Sequence, residues 1–539
     1  MVLAILLKAW GLAAQPADLI IENARIYTGN PKQPIAKSIA VRGSRIIAVG
    51  DNSADQAGPK TQRIDAKGAT ITAGFIDSHG HMAGLGNLFT TLNLRSESSL
   101  AHIAELVQSA AAKHPMGEWI IGRAWDQTNW GGKFPVAADI DKAAGEHPVY
   151  LTRVDGHAAW VNHKALGIAG VTKSTPDPPG GRIVRDERGE ATGVLVDTAQ
   201  SLVSSKIPPS TLEQVQSSLK LAAAECARLG ITSVHDAGVG TLELAAYRNL
   251  ISRGELPVRV YAMIGGSNST WRDLIKSGPQ IGEYLTVRSI KLYADGAMGS
   301  RGAAFLEPYA DDPANRGLLI MTREQVAGVA TEALAKGFQL NTHAIGDRAN
   351  RTVLQAYADV LKGKNDHRFR IEHAQIVSLD DLELFRENSV IASIESTHAT
   401  SDMRWAEARL GKARLNGAWM AKSFLKAGIR IANGSDFPVE EPNPMRGFHA
   451  AVTRQNESNE PEGGFLPKER LSREEALSSW TIDGAYAEFA EKDKGTLEAG
   501  KLADFVMWSQ DIMTVPATEI LKTRVRMTVV GGKIVYKAE

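Results

Sequence analysis

Eight short apolar runs, each closed by polar residues and most of them separated by helical stretches, constrain this chain more than any other feature. They are Ile71–Asp77, Ile231–His235, Val258–Ile264, Val287–Tyr293, Phe338–Thr342, Phe369–Glu372, Val390–Glu395 and Ile429–Asn433. Between them, segments such as Gln214–Leu229, Arg323–Lys336 and Arg348–Leu361 carry the apolar spacing of helices. Strand and helix alternating eight times predict an α/β fold, a parallel (β/α)8 barrel of the TIM type rather than an open sheet. At Arg228-Leu229-Gly230-Ile231 and Ala335-Lys336-Gly337-Phe338, glycine falls where a helix would end in a left-handed residue. Counting eight strands requires setting aside Val149–Val154, another strand-like run.

That run lies within an insertion of roughly Leu94–Pro209, after the first barrel strand. Its length is too great for a plain loop, so it is expected to carry its own structure over the barrel mouth. Residues 17–70 read as short strands and turns, and 491–539 answer in the same style, with Gly531-Gly532 as a hairpin signal. The two ends are expected to meet in one small β-sandwich beside a barrel spanning 71–490. Residues 1–16 hold an apolar segment interrupted by Lys8 and followed by Gly-Leu-Ala-Ala, too short to span a bilayer. It suits a signal peptide cleaved near Ala13 or Ala14, which tilts the expectation towards a periplasmic or secreted protein over a cytoplasmic one.

Lys+Arg and Asp+Glu balance at 61 each in 539 residues. A basic footprint for nucleic acid is absent, and no polybasic run points to a membrane surface, so a small-molecule substrate is the expected partner. Cys226, the single cysteine, lies in the helix expected over Leu221–Leu229 and can form neither an internal disulfide nor a Cys-rich metal site. Any metal must be held by histidine, carboxylate or modified lysine.

In a parallel barrel, functional residues sit where strands end. The first run leads into Ser78-His79-Gly80-His81. Two residues apart on an extended chain, His79 and His81 point to one side and can chelate one ion. A lone pair of this kind also arises by chance among 13 histidines. His343 and His373 then fall at the ends of the fifth and sixth runs, where each alone could be a core histidine. Asp436 follows the eighth run, a place also suited to a turn or helix-capping aspartate. Lys291 lies inside the apolar fourth run and must pair, snorkel or change its charge. Reaction with CO2 would make it a carbamate able to bridge two cations; pairing with Asp295 is the competing arrangement.

This order of residues resembles the amidohydrolase superfamily, and within it the branch of N-substituted formamide deformylase and the exoenzyme regulatory proteins. The resemblance rests on Gly74-Phe-Ile-Asp-Ser-His-Gly-His81, Gly122-Arg-Ala-Trp-Asp-Gln127, Asp155-Gly-His-Ala-Ala-Trp-Val-Asn162 and Lys291-Leu-Tyr-Ala-Asp-Gly-Ala-Met-Gly-Ser-Arg301. It continues in His343-Ala-Ile-Gly-Asp-Arg-Ala349, Arg370-Ile-Glu-His-Ala-Gln375, Gly434-Ser-Asp-Phe-Pro-Val439 and Gly500-Lys-Leu-Ala-Asp504, covering nearly the whole chain after the leader. It implies two metal ions, usually zinc, with His79, His81 and Asp436 on one and His343 and His373 on the other. Lys291, carboxylated by CO2, and a hydroxide would bridge them. It implies hydrolysis of an amide-like C–N bond, non-peptide or acylated, with Asp436 as general acid and base, and a homodimer as the assembly.

One departure stands out. Ile394-Glu-Ser-Thr-His398 carries Glu395 and Ser396 where relatives usually show Gln-Pro, which puts substrate contacts there in doubt without touching a metal ligand. His157, His235, His398 and Trp125 are candidate substrate-binding residues, and Trp160 could also line an apolar pocket. His102, His114, His147, His163, His367 and His449 read as surface residues, and the charged runs Arg470–Glu475 and Glu488–Lys494 as solvated helix faces. The alternatives are a deaminase with one metal on the same barrel and a non-catalytic scaffold. Lys291 argues against the first, the filled set of ligand positions against the second.

Overall fold

The computed structural model describes residues 15–95, 97–267 and 269–539, so the apolar leader within residues 1–14 lies outside the described residues. Eight strands, β1 (Phe75–Gly80), β2 (Ile231–Val239), β3 (Arg259–Gly265), β4 (Leu285–Tyr293), β5 (Gln339–Ala344), β6 (Arg370–His373), β7 (Ile391–Glu395) and β8 (Ile431–Gly434), pair in parallel in chain order. The ring closes where Gly80 and Phe437 form a parallel bridge. The Asp77 carboxylate accepts from Ser435 N at 3.0 Å and Ser435 Oγ at 2.6 Å, tying the first strand to the eighth. Gly434 approaches β1 so closely that a Cβ would lie 2.6 Å from His79 N. The alternation read from the sequence is thus a nearly closed eight-stranded parallel barrel.

The helices form for local reasons. Leu212–Arg228 starts in a capping box between Thr211 and Gln214 and buries Val215, Leu219, Ala222, Ala223 and Cys226, one face at helical spacing. Gly230, at φ 85°, ends it and feeds β2. No helix among the described residues is long and apolar enough to cross a membrane.

The first apolar run, expected as one strand over Ile71–Asp77, is two. Thr70–Ala73 pairs with Phe505–Trp508 and Arg25–Tyr27, and the barrel strand begins at Phe75. Gly74 marks the break, because a Cβ there would lie 2.1 Å from Thr232 Oγ1. The two chain ends build a four-stranded and a six-stranded sheet around a shared core that includes Ile21, Ile39, Ile71, Phe505 and Val529. Within the insertion, strands from Leu92–Asn93 to Ala191–Asp197 form a separate six-stranded sheet that includes Val149–Arg153.

The charged run Glu488–Lys494 is solvated only in its middle, at Lys492 and Asp493. Glu488 and Lys494 are buried and paired at 2.8 Å, with Glu488 also 3.4 Å from His235. The polar interior of β2, Ser233 and His235, draws these charges in: Lys494 Nζ bonds Ser233 Oγ. His147 and His449, expected on the surface, are buried too, held by the carbonyl of Glu118 and by the Asn459 side chain.

Candidate metal centre

β1 delivers His79 and His81 to the barrel mouth. His79 is fully buried; its Nδ1 bonds the Glu372 carboxylate and its Nε2 lies 2.9 Å from Lys291 Nζ and 3.7 Å from Asp436 Oδ1. His81 fixes its ring by an Nδ1 contact of 2.9 Å with the Ala237 carbonyl and turns Nε2 to Asp436 Oδ1 at 3.1 Å. Lys291, on β4, points inward rather than to Asp295, whose carboxylate instead accepts the backbone N–H groups of Ala304, Ile345 and Gly346.

Two ligand candidates sit on strained backbone. Inward residues alternate along β6 as Arg370 and Glu372, so His373 should face the helices; at φ 74° it turns over the mouth instead. Asp436 has φ 57°. Left-handed residues that are not glycine cost about 1–3 kcal/mol and cluster at working sites. His373 Nδ1 bonds Glu395 Oε2 at 2.8 Å, and its ring lies 4.8 Å from that of His79 and 4.6 Å from that of His343. His343 Nε2 is buried without a hydrogen-bond partner, 3.5 Å from Asp295 Oδ1.

Three sets of donor atoms, each mutually within 4.8 Å, occur here among the described residues: His79, His81 and Asp436; His373, His398 and Asp436; His79, Glu372 and Glu395. The first is a set the resemblance implies. In the second, His398 joins His373, while His343 meets it by ring contact. His398 lies in the first turn of a helix, Ser396–Leu410, with Nε2 3.7 Å from Asp436 Oδ2.

Burial sets the protonation of these groups. It holds His373 down to about 3 and His79 and His343 well below the usual range, so all three are neutral as ligands must be. It pulls the Lys291 amine down to about 8, although the carboxylates of Glu372, Asp436 and Glu395 work the other way. Burial opposes the charge of Asp436 too, but the hydrogen bond from His81 leads the effects that keep its carboxyl well below the ordinary value. Burial raises Glu395.

The cavity above this centre encloses about 870 Å³, and Lys291, His343, His373, His398, Asp436 and His157 all face it. His157 is held by Asp197 at 2.7 Å. Two expected substrate contacts do not reach the cavity. Trp125 is fully buried in the insertion core with Nε1 donating to the Leu151 carbonyl at 2.7 Å, beside the equally buried Trp160. His235 is not at a strand end, because β2 runs on to Val239; its ring lies within the barrel against Arg370 and Glu488. Glu395 corrects the reading of the seventh-strand departure: its carboxylate bonds His373 directly. Glu372 and Glu395 escaped sequence reasoning, although carboxylates within apolar strands were a signal.

A family model described as the amidohydrolase family matches residues 62–536. The chain belongs to that family. As an amidohydrolase-family enzyme it is a hydrolase, and it is similar to the protein LONG AFTER FAR-RED 3 of Arabidopsis thaliana, 33% identical over 537 residues covering 96% of this chain and 92% of that protein. It is also similar to N-substituted formamide deformylase of Arthrobacter pascens, 26% identical over 548 residues, 97% and 99% of the two chains. Its fold resembles the crystal structure of an uncharacterized metal-dependent hydrolase from Pyrococcus horikoshii, with a TM-score of 0.76 and 26% identity over 93% of this chain and 99% of that one.

Proposed function

We propose that this chain is a metal-dependent hydrolase with two divalent ions, zinc by preference, cleaving an amide C–N bond. The observation that carries the reading is the convergence of His79, His81, Lys291, His373 and Asp436 at one end of the barrel, with Glu372 and Glu395 each fixing a histidine. The donor set fits such ions. His343 Nε2 and His398 Nε2 are buried without hydrogen-bond partners, a costly state that a cation relieves. Carboxylates on the outer ring nitrogens are the usual supports of metal-binding histidines.

His79, His81 and Asp436 would hold one ion, and His343 and His373 the other, with Lys291 between them. Divalent ions supply Lewis acidity there, making water a usable nucleophile at neutral pH and polarising an acyl oxygen. Lys291 is suited to carboxylation because burial favours its free amine: the nitrogen lone pair forms a bond to CO2, one proton leaves, and a neutral buried amine becomes an anionic carbamate. Asp436, kept ionised, takes a proton from the attacking water at a carboxylate oxygen and returns it to the departing nitrogen. The similarity to N-substituted formamide deformylase supports an acylated amine as the reacting group.

Metal analysis of the purified chain combined with a hydrolysis screen tests the reading. Two ions per chain and release of amine from N-formyl or N-acyl amines, with zinc and bicarbonate supplied, are expected. One ion per chain with ammonia released from an aminated ring would favour the deaminase instead.

A further inference from the structure

Four arginines line the cavity: Arg95, Arg123, Arg153 and Arg404. Three are committed to the protein. Arg153 binds Asp126 at 3.0 Å, Gln127 at 2.8 Å and Asp155; Arg404 binds Asp126; Arg95 donates to the carbonyls of Val439, at 3.0 Å, and Pro438. Arg123 differs. Its Nε is buried without a hydrogen-bond partner, and its guanidinium makes no ion pair among the described residues.

The backbone is bent to put it there. Arg123 and Trp125 belong to the insertion strand Ile120–Trp125, where alternation would place both on one face. At Ala124 the chain adopts φ 77°, and the pairing with the Val149–Arg153 strand slips between Arg123 and Trp125. Such a bulge re-aims a side chain. Trp125 sinks into the insertion core, while Arg123 faces the cavity over Gly156, where a Cβ would come within 3.7 Å of Nη2. Asp436 and Asp155 act on Arg123 only through space, against burial, which is the larger effect.

A guanidinium stays charged, and shutting its Nε away from water without a counter-ion is costly. The cavity also offers apolar wall at Leu292, Met298, Ile320 and Met321. We propose that Arg123 anchors a carboxylate on the substrate, so that the site takes amides of the N-acyl amino acid class rather than uncharged N-acyl amines. The planar fork matches a carboxylate with two parallel hydrogen bonds. The proposal rests on the hydrolase reading for its scissile amide, but not for the anchor itself.

Calorimetry on the metal-loaded full chain tests it, using phenylalanine and phenethylamine, which differ only in the carboxylate. Phenylalanine is expected to bind about tenfold tighter or more, the usual worth of a charged hydrogen-bonded pair. Arg123→Met should bring the two affinities together, and Arg123→Lys, keeping charge and stem, should retain part of the preference. Equal binding of the two ligands by the unaltered chain overturns the proposal. So does a preference that survives intact in Arg123→Met, which would belong to the metal, or no measurable binding of phenylalanine at millimolar concentration. N-acetylphenylalanine and N-acetylphenethylamine form the turnover arm. A carboxylate preference in binding with neither compound cleaved would leave the anchor standing and sink the amide-cleaving reading of the site.

Discussion

Lys291 Nζ lies 2.9 Å from His79 Nε2, so a buried amine from the fourth barrel strand faces the ring nitrogen that a metal would take from the first. An unmodified ammonium there would repel a cation, whereas a carbamate would hold one. Lys291→Ala is therefore expected to lower bound metal and to cut turnover by about a hundredfold or more, as loss of a ligand exceeds loss of its support. Short carboxylic acids such as acetate should restore part of both. Full metal content in the variant, measured by emission spectroscopy, would remove the lysine from the site.

Glu395 holds the outer nitrogen of His373 at 2.8 Å. Glu395→Gln keeps the size but replaces the carboxyl that supports His373 as a ligand with an amide. Metal affinity is expected to fall about 10- to 100-fold, read by competition with a chelator.

Glu488 governs part of the acid stability. Burial alone would raise its carboxyl, but Lys494 and His235 outweigh that and hold it down to about 2, from an ordinary 4.5. A carboxyl lowered on folding stabilises the fold above its unfolded value and ceases to do so as pH falls through the folded one. The advantage of the native chain over Glu488→Gln should be full above about pH 4.5, about 3 kcal/mol by linkage, and shrink between pH 4.5 and about 2. Urea midpoints across that range check it; an advantage independent of pH would contradict the linkage.

Trp125 separates packing from recognition. Trp125→Phe loses the hydrogen bond to Leu151 and part of the contact with Trp160, whose ring centroid is 6.2 Å away. A loss of about 1–3 kcal/mol of stability is expected, with KM changed by less than about twofold. A large KM change at unaltered melting temperature would return Trp125 to the cavity wall.

The barrel and its mouth were legible because both depend on local pattern. Strand and helix periods differ, and His79, His343, His373 and Asp436 stand where strands run out. The supports were hidden because each meets its partner only once the strands are assembled: Glu372 serves a histidine 293 positions away, and Glu395 one on the neighbouring strand. His235 went astray on a local cue, since the polar His-Asp pair reads as a strand end while β2 continues to Val239. Glu488 and Lys494 read as solvent-facing because charge usually is, and Lys494 meets Ser233 from 261 positions away. Arg123 was hidden by the bulge at Ala124, which no residue type announces.

The pairing of Thr70–Ala73 with Phe505–Trp508 has a consequence for synthesis. Trp508 Nε1 reaches Thr72 Oγ1 at 3.0 Å across 436 positions, and Thr72 faces Val506 in the ladder. The Thr70–Ala73 strand therefore leaves the ribosome long before its second neighbour exists, with an open edge of the kind that recruits foreign strands. Only a chain that has grown as far as Trp508 can shield that edge, so crowding during translation is the stage at which this protein is most exposed to aggregation.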